Sequence, residues 1–163
     1  MKNSTSLYLI LASGLVLSYF LLHQVYGFTA HSSLLTRILY PICHANIWHL
    51  AANLVYLWLI RQLLSMNLIP AYLLAVFAAF LPSFMLWGEA PTTGFSGVMF
   101  VLVGMSWGKI NRFYDMFWRN KWILIIPFFI PNINALLHLY CLVLGFAFGY
   151  LRSVCCLTAK TSK

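Results

Sequence analysis

The segment Gly94-Phe95-Ser96-Gly97 places a serine hydroxyl between glycines in an otherwise highly apolar sequence. The glycines leave space beside the hydroxyl and allow a neighbouring helix to approach closely. If Ser96 opens a helix, its backbone amide is also free to donate a hydrogen bond to an anion. These features suit a nucleophile, although glycine and serine also mark places where membrane helices pack.

Polar residues on two other apolar segments could serve this hydroxyl. His138 would be its general base, because imidazole accepts a proton near neutral pH. His49 and Asn53 are four residues apart and therefore share one helix face. The amide of Asn53 would be a good donor to an oxyanion, but a hydrogen bond that only joins helices explains it equally well. No carboxylate is expected at this depth, so the sequence predicts a Ser96–His138 dyad rather than a triad.

The composition indicates a membrane protein. Of 163 residues, 63% are hydrophobic and only 7% are charged, whereas about a quarter of the residues in soluble domains are charged. We predict one polytopic transmembrane domain over residues 1–163.

The net charge of +8 comes from scattered basic residues rather than a basic face, which excludes nucleic acid as a partner. The four cysteines show no metal-binding spacing, so neither a metal nor another cofactor is expected.

Six apolar segments are candidate membrane spans, of which the fourth and fifth are the shortest and fall below the roughly 20 residues that usually cross a bilayer. The run near the N-terminus is interpreted as the first span rather than a signal peptide, because no cleavage site ends it. The predicted spans are Leu7–Leu22, Ile47–Leu64, Leu68–Trp87, Ser96–Ile110, Trp118–Ile130 and Asn132–Leu151.

The basic residues predict the orientation of these spans. With the N-terminus in the cytoplasm, nine of the ten Lys and Arg residues lie inside and only Arg37 lies outside. Both termini are then cytoplasmic, and the second, fourth and sixth spans begin at the outer face. The polar residues lie near those beginnings and are expected at one level. The nine inner residues are Lys2, Arg61, Lys109, Arg112, Arg119, Lys121, Arg152, Lys160 and Lys163.

Glycine spacing predicts how two of the spans pack. Gly97, Gly104 and Gly108 repeat the spacing of His138, Gly145 and Gly149, which is seven residues and then four. Two such stripes can pack backbone to backbone, and that contact would bring Ser96 against His138.

The pattern His44-x4-His49-x3-Asn53, followed by the Ser96 motif and then by His138, resembles the rhomboid intramembrane serine proteases. The resemblance covers about His44 to Gly149 and includes the count of six helices. It implies an all-α rhomboid-like bundle that cleaves transmembrane segments of other membrane proteins, often after a small residue. It also implies a Ser96–His138 dyad, with His49, Asn53 and the Ser96 amide facing the oxyanion.

The resemblance extends to supporting residues. Phe100, four residues after the serine, matches an aromatic residue that packs on the catalytic histidine, and Gly94, Gly97 and His44 complete the supporting set. We expect His44 at the outer boundary of the membrane. The chain departs from the family at Cys141, where glycine is usual, and at Thr36-Arg37, where a Trp-Arg pair is usual. These departures bear on substrate gating rather than on the chemistry.

Two alternatives remain open at this point. One is a catalytically inactive rhomboid-like protein that binds membrane helices, and the other is a small transporter or channel subunit. The compact chain favours a bacterial cytoplasmic membrane as its location. The expected partners are the lipid bilayer and a membrane-protein substrate.

Overall fold

The computed structural model describes residues 2–22, 27–82, 91–109, 114, 118, 121–122, 125, 129 and 133–161. The architecture of this part of the chain is all-α. A 3-10 turn over Tyr40–Ile42 separates the second and third of its α-helices. The helices are α1 (Lys2–Leu22), α2 (Leu34–Leu39), α3 (Ile47–Leu59), α4 (Arg61–Ala78), α5 (Ser96–Trp107) and α6 (Ala135–Thr161).

Among the described residues, two helices are long and apolar enough to cross a membrane. They contain the apolar stretches Ser4–Leu22 of α1 and Ala135–Cys156 of α6. Three shorter apolar helical stretches cover Ile47–Leu59, Leu68–Ala78 and Ser96–Trp107. Together with their apolar surfaces, these helices fit an all-α membrane protein.

The second and third predicted spans have different boundaries in the structure. We predicted a break between Leu64 and Leu68, but the helix continues there and the break lies at Ile60. The predicted break contains neither glycine nor proline, so nothing in it ends a helix. At Ile60 the backbone leaves helical geometry (φ −98°, ψ 8°) for this single residue. The predicted end of the third span, Trp87, lies outside the described residues.

The remaining predicted spans agree with the structure more closely. The first begins earlier, at Lys2, and the fourth ends earlier, at Trp107. The sixth, predicted as Asn132–Leu151, is helical from Ala135 to Thr161. Most of the predicted span Trp118–Ile130 lies outside the described residues. Helix α2 was not predicted, because its six residues are too few for a periodic pattern.

Helix α5 lies at the centre of the fold. Every residue from Gly97 to Trp107 is buried, as expected for a helix that is apolar on all sides. Its most extensive contact is with α6 and the next is with α4, while α1 packs mainly on α4. The central position of α5 holds its first residue, Ser96, at a fixed place in the bundle.

The glycine stripes of α5 and α6 meet backbone to backbone, which confirms the packing prediction. A methyl group at Gly104 would lie 2.8 Å from the Phe146 nitrogen, and one at Gly145 would lie 2.9 Å from the carbonyl carbon of Val101. Neither position has room for a side chain. Close backbone contact of this kind is how small residues hold membrane helices together.

Arg37 joins the loop before α2 to the end of α4. Its guanidinium donates hydrogen bonds to the carbonyl oxygens of Ser32 (3.3 Å), Thr29 (3.1 Å), Ala30 (2.8 Å) and Ala79. It also lies 5.4 Å from the centroids of two phenylalanine rings, within the range of cation–π attraction. One side chain thereby satisfies the carbonyl groups of two segments that are distant in sequence. The two rings are those of Phe28 and Phe80.

Arg37→Lys is expected to lower the thermal unfolding midpoint in mild detergent. An ammonium is a point charge and cannot reproduce the planar fork of donors, so we expect a loss of about 1–3 kcal/mol in unfolding free energy. Arg61→Lys is the matched control, because the described contacts of the Arg61 guanidinium are with one nearby residue, the carbonyl and ring of Trp58, and do not join distant segments. Equal midpoints for the two variants would contradict the proposed bridging role of Arg37.

Candidate active site

Ser96 and His138 lie together at the starts of α5 and α6. Ser96 is the first residue of α5, and His138 lies in the first turn of α6. The Ser96 Oγ and the His138 Nε2 are 2.8 Å apart, which is a hydrogen bond. The imidazole is buried and the serine is half-buried. A hydroxyl in this geometry can transfer its proton to the ring nitrogen when it attacks an electrophile.

Phe100 fixes the plane of the His138 ring. The two rings are stacked, with centroids 4.4 Å apart and planes 1° from parallel. Phe100 follows Ser96 by one helical turn, so α5 supplies both the hydroxyl and the aromatic surface that the imidazole faces. The other ring nitrogen, His138 Nδ1, is buried and has no hydrogen-bond partner among the described residues. Stacking rather than a carboxylate therefore orients this ring in the part of the chain described.

His49 and Asn53 approach the chain just before Ser96, at Gly94. The backbone of Gly94 has φ +108°, a conformation that glycine adopts at little cost. A methyl group there would lie 2.7 Å from both the Cε1 and the Nε2 of His49, and 3.6 Å from the Nδ2 of Asn53. Glycine is thus required at this position for two reasons: the positive φ of the turn and the close approach of the His49 imidazole.

The side chain of Asn53 is buried and partly committed to its own helix. Its Nδ2 donates to the carbonyl oxygen of His49 at 2.8 Å. An amide nitrogen carries two hydrogens, so a second donor remains after this bond. The Oδ1 of Asn53 is buried without a hydrogen-bond partner in the described part of the chain. Asn53 thus keeps donor capacity, and it lines the same cavity as Ser96.

Ser96 and His138 line a cavity of about 230 Å³, the central cavity. One wall comes from α3, a second from residues 91–93, and the others from the first turns of α5 and α6. Small or apolar side chains line most of it, and polar side chains from each wall line the rest. Such a combination is typical of a small-ligand or substrate site. The lining includes His49, Asn53, Thr92, Phe100 and Asn134.

Tyr40 supports this site and was not identified from the sequence. Its carbonyl oxygen accepts a hydrogen bond from the Gly94 amide (3.0 Å), and its hydroxyl donates to the Ala75 carbonyl (3.0 Å). A methyl group at Gly97 would lie 2.7 Å from the Tyr40 hydroxyl and 3.4 Å from the Cys141 sulfur. Tyr40 therefore joins the 3-10 turn, α4 and the start of α5. Its aromatic type alone gave no signal, because aromatic residues are common throughout the chain.

The other candidate residues differ in their placement. His44 is fully buried, and its ring meets the His49 ring edge-on with centroids 5.4 Å apart. His31, in the loop before α2, is exposed. Cys141, at the position where the family usually has glycine, packs against Gly97 and is itself buried.

The fold and the site together define a class: an all-α membrane protein with a serine hydroxyl hydrogen-bonded to a buried imidazole. A family model of the rhomboid domain matches residues 31–155. The chain therefore belongs to the rhomboid family, whose members are generally intramembrane serine proteases. A search of curated proteins finds no match to this chain.

Proposed function

We propose that this chain is an intramembrane serine endopeptidase that cleaves transmembrane segments of other membrane proteins with a Ser96–His138 dyad. The observation that carries the proposal is the 2.8 Å hydrogen bond between the serine Oγ and the histidine Nε2. Membership of the rhomboid family supports it. Polar side chains at membrane depth are costly, and catalysis accounts for their presence together.

In the first half of the reaction, the Ser96 Oγ attacks the scissile carbonyl carbon while the His138 Nε2 accepts its proton. The same nitrogen then donates this proton to the leaving amine, and an acyl-enzyme remains. In the second half, a water molecule gives its proton to His138 and attacks the ester, which releases the carboxylate product and restores the hydroxyl. Phe100, stacked on the imidazole, keeps the Nε2 directed at the serine in both halves.

The oxyanion of each tetrahedral intermediate is assigned to three donors: the Ser96 amide, the free hydrogen of the Asn53 amide and the His49 ring. The proximity of His49 and Asn53 to Gly94, two residues before the serine, supports this assignment. Removal of a single donor of this kind costs about 10²–10³-fold in turnover. Gly94 and Gly97 permit the approach of these groups, and His44 packs behind His49.

The proposal includes a topology. The chain forms one rhomboid-like domain over residues 1–163, with six spans and both termini in the cytoplasm of a bacterial cell. The nine-to-one division of basic residues across the membrane supports this orientation. Ser96 then lies toward the outer face, where the central cavity can admit both water and an unwound substrate segment.

A fluorophosphonate probe tests the proposal directly. The purified protein in detergent is expected to react at Ser96, because the imidazole activates this hydroxyl above all other serines. Peptide mapping of the labelled protein checks the position, and Ser96→Ala should remain unlabelled. The alternative function, binding of membrane helices without catalysis, predicts no labelling. Labelling confined to other serines, or no labelling at all, would overturn the proposed activity.

A further inference from the structure

A second hydrogen bond joins the same two segments as Ser96 and His138. The Nδ2 of Asn134 donates to the Oγ1 of Thr92 at 3.1 Å, and the two residues are only 5% and 8% exposed. Thr92 precedes Ser96 by four residues, and Asn134 precedes His138 by four. The two hydrogen bonds are therefore parallel connections between the chain that enters α5 and the chain that enters α6.

Asn134 also determines where α6 begins. Its Oδ1 accepts a hydrogen bond from the Leu137 amide at 3.0 Å, and its carbonyl oxygen accepts one from the His138 amide at 3.2 Å. These contacts make Asn134 the N-cap of the helix. His138 lies in the first turn, where the position of a side chain depends on how well the helix end is held.

Thr92 is itself anchored to the loop after α1. It forms an isolated antiparallel bridge with Phe28, with both backbone hydrogen bonds at 2.9 Å. The Phe28 ring packs edge-on against Tyr40, whose carbonyl holds Gly94. The hydroxyl that Asn134 contacts is thus fixed relative to the backbone that leads to Ser96.

The Ser96–His138 pair lies between two different kinds of helix contact. On one side, the glycine contacts of α5 and α6 begin about two turns further along each helix. On the other side is the Thr92–Asn134 hydrogen bond. We propose that Asn134 and Thr92 are positioning residues, which hold the start of α6 so that the His138 Nε2 stays within hydrogen-bond distance of the serine. This role rests on the proposed protease function.

Thr92→Val tests the role, because it removes the acceptor and preserves the shape of the side chain. We expect kcat for a transmembrane substrate to fall about 10-fold, because small displacements of reacting groups cost one to two orders of magnitude. Thr92 also lines the cavity, but valine keeps the shape of that wall, so KM should stay within about twofold while kcat carries the loss. The rate of fluorophosphonate labelling at Ser96 should fall by a similar factor, and Thr92→Ser should restore it.

Asn134→Ser provides the second arm of the experiment. Serine retains the N-cap but is too short to reach Thr92, so its loss of kcat should equal that of Thr92→Val. The double variant should lose no more than either single variant, because both remove the same hydrogen bond. Thr158→Val is the matched control. The Thr158 hydroxyl donates to the carbonyl oxygens of Val154 and Cys155, near the far end of α6.

Hydrogen exchange adds a readout that does not depend on activity. In the Thr92→Val protein, the amides of Leu137 and His138 are expected to exchange faster, while those near Gly145 keep their protection. The proposal would be overturned if the unfolding midpoint fell while kcat, the labelling rate and exchange at these amides stayed unchanged. Asn134 would then contribute to stability and not to the position of His138. Additive losses in the double variant would overturn it as well. Absence of both cleavage and labelling in the unmodified protein would instead refute the proposed protease, and this role with it.

Discussion

Ser96→Ala is expected to lower the cleavage rate of a transmembrane substrate by about 10⁴-fold or more, because among the described residues the hydroxyl that hydrogen-bonds the His138 imidazole is that of Ser96. The protein should remain folded, because among the described residues the Ser96 hydroxyl forms a single side-chain hydrogen bond, the one to His138. Cleavage of a reporter helix reconstituted in vesicles measures the loss, and the thermal unfolding midpoint in detergent checks the fold.

Ser106→Ala is the matched control for this substitution. Ser106 also belongs to α5, where it is buried, but it does not line the central cavity. We expect this variant to keep its cleavage rate within about threefold, as for a change outside the reacting groups. His138→Ala should match the loss of Ser96→Ala, and the double variant should be no worse than either, because the two residues act as one unit. Substantial turnover by the Ser96→Ala protein would refute the dyad.

Gly145→Ala is expected to cause a large loss of stability for the addition of a single methyl group. The added methyl would lie 2.9 Å from the Val101 carbonyl carbon and closer still to its oxygen. The Val101 backbone cannot move aside by changing rotamer, as a side chain can. Helix α6 must therefore shift outward, which lowers the unfolding free energy by roughly 1–3 kcal/mol. The shift would also displace His138, two turns earlier on the same face, so cleavage should fall about 10- to 100-fold.

Gly14→Ala is the same substitution at a position where the structure shows no atom within 4 Å of the added methyl. This variant should be neutral or stabilised by up to about 1 kcal/mol, because alanine favours a helix over glycine. Unfolding in mild detergent, compared side by side for the two variants, measures the difference. Equal stability of the two proteins would show that α5 and α6 do not depend on close backbone contact.

The packing of α5 on α6 could be anticipated from the sequence, whereas the boundary between α3 and α4 could not. Gly104 and Gly145 belong to matching seven-then-four stripes, and helical periodicity places such residues on one face. The break at Ile60 has no comparable signal, because it occupies one residue and involves neither glycine nor proline. Helix α2 was missed for a similar reason, since short helices depend on their caps and surroundings more than on a repeating pattern.

The sequence identified four candidate site residues, because polar side chains are conspicuous in an apolar chain. They are Ser96, His138, His49 and Asn53. Their roles in catalysis remain predictions, and the distances between them belong to the tertiary structure. Tyr40, Thr92 and Asn134 were not found by the same reasoning. Each holds the site through hydrogen bonds to partners 35 or more residues away, and such bonds leave no mark on local spacing.

The sequence alone therefore determined that the chain is an apolar, helical protein with a serine, two histidines and an asparagine in a set order. It could do so because helical period and the cost of burying polar groups act locally along the chain. Only the tertiary structure decided that a 2.8 Å hydrogen bond joins Ser96 to His138, that Phe100 stacks on the ring, and that Asn134 ties α6 to Thr92. Those features arise from the contact of segments 38 or more residues apart, where packing of whole helices sets each distance to within a fraction of an ångström.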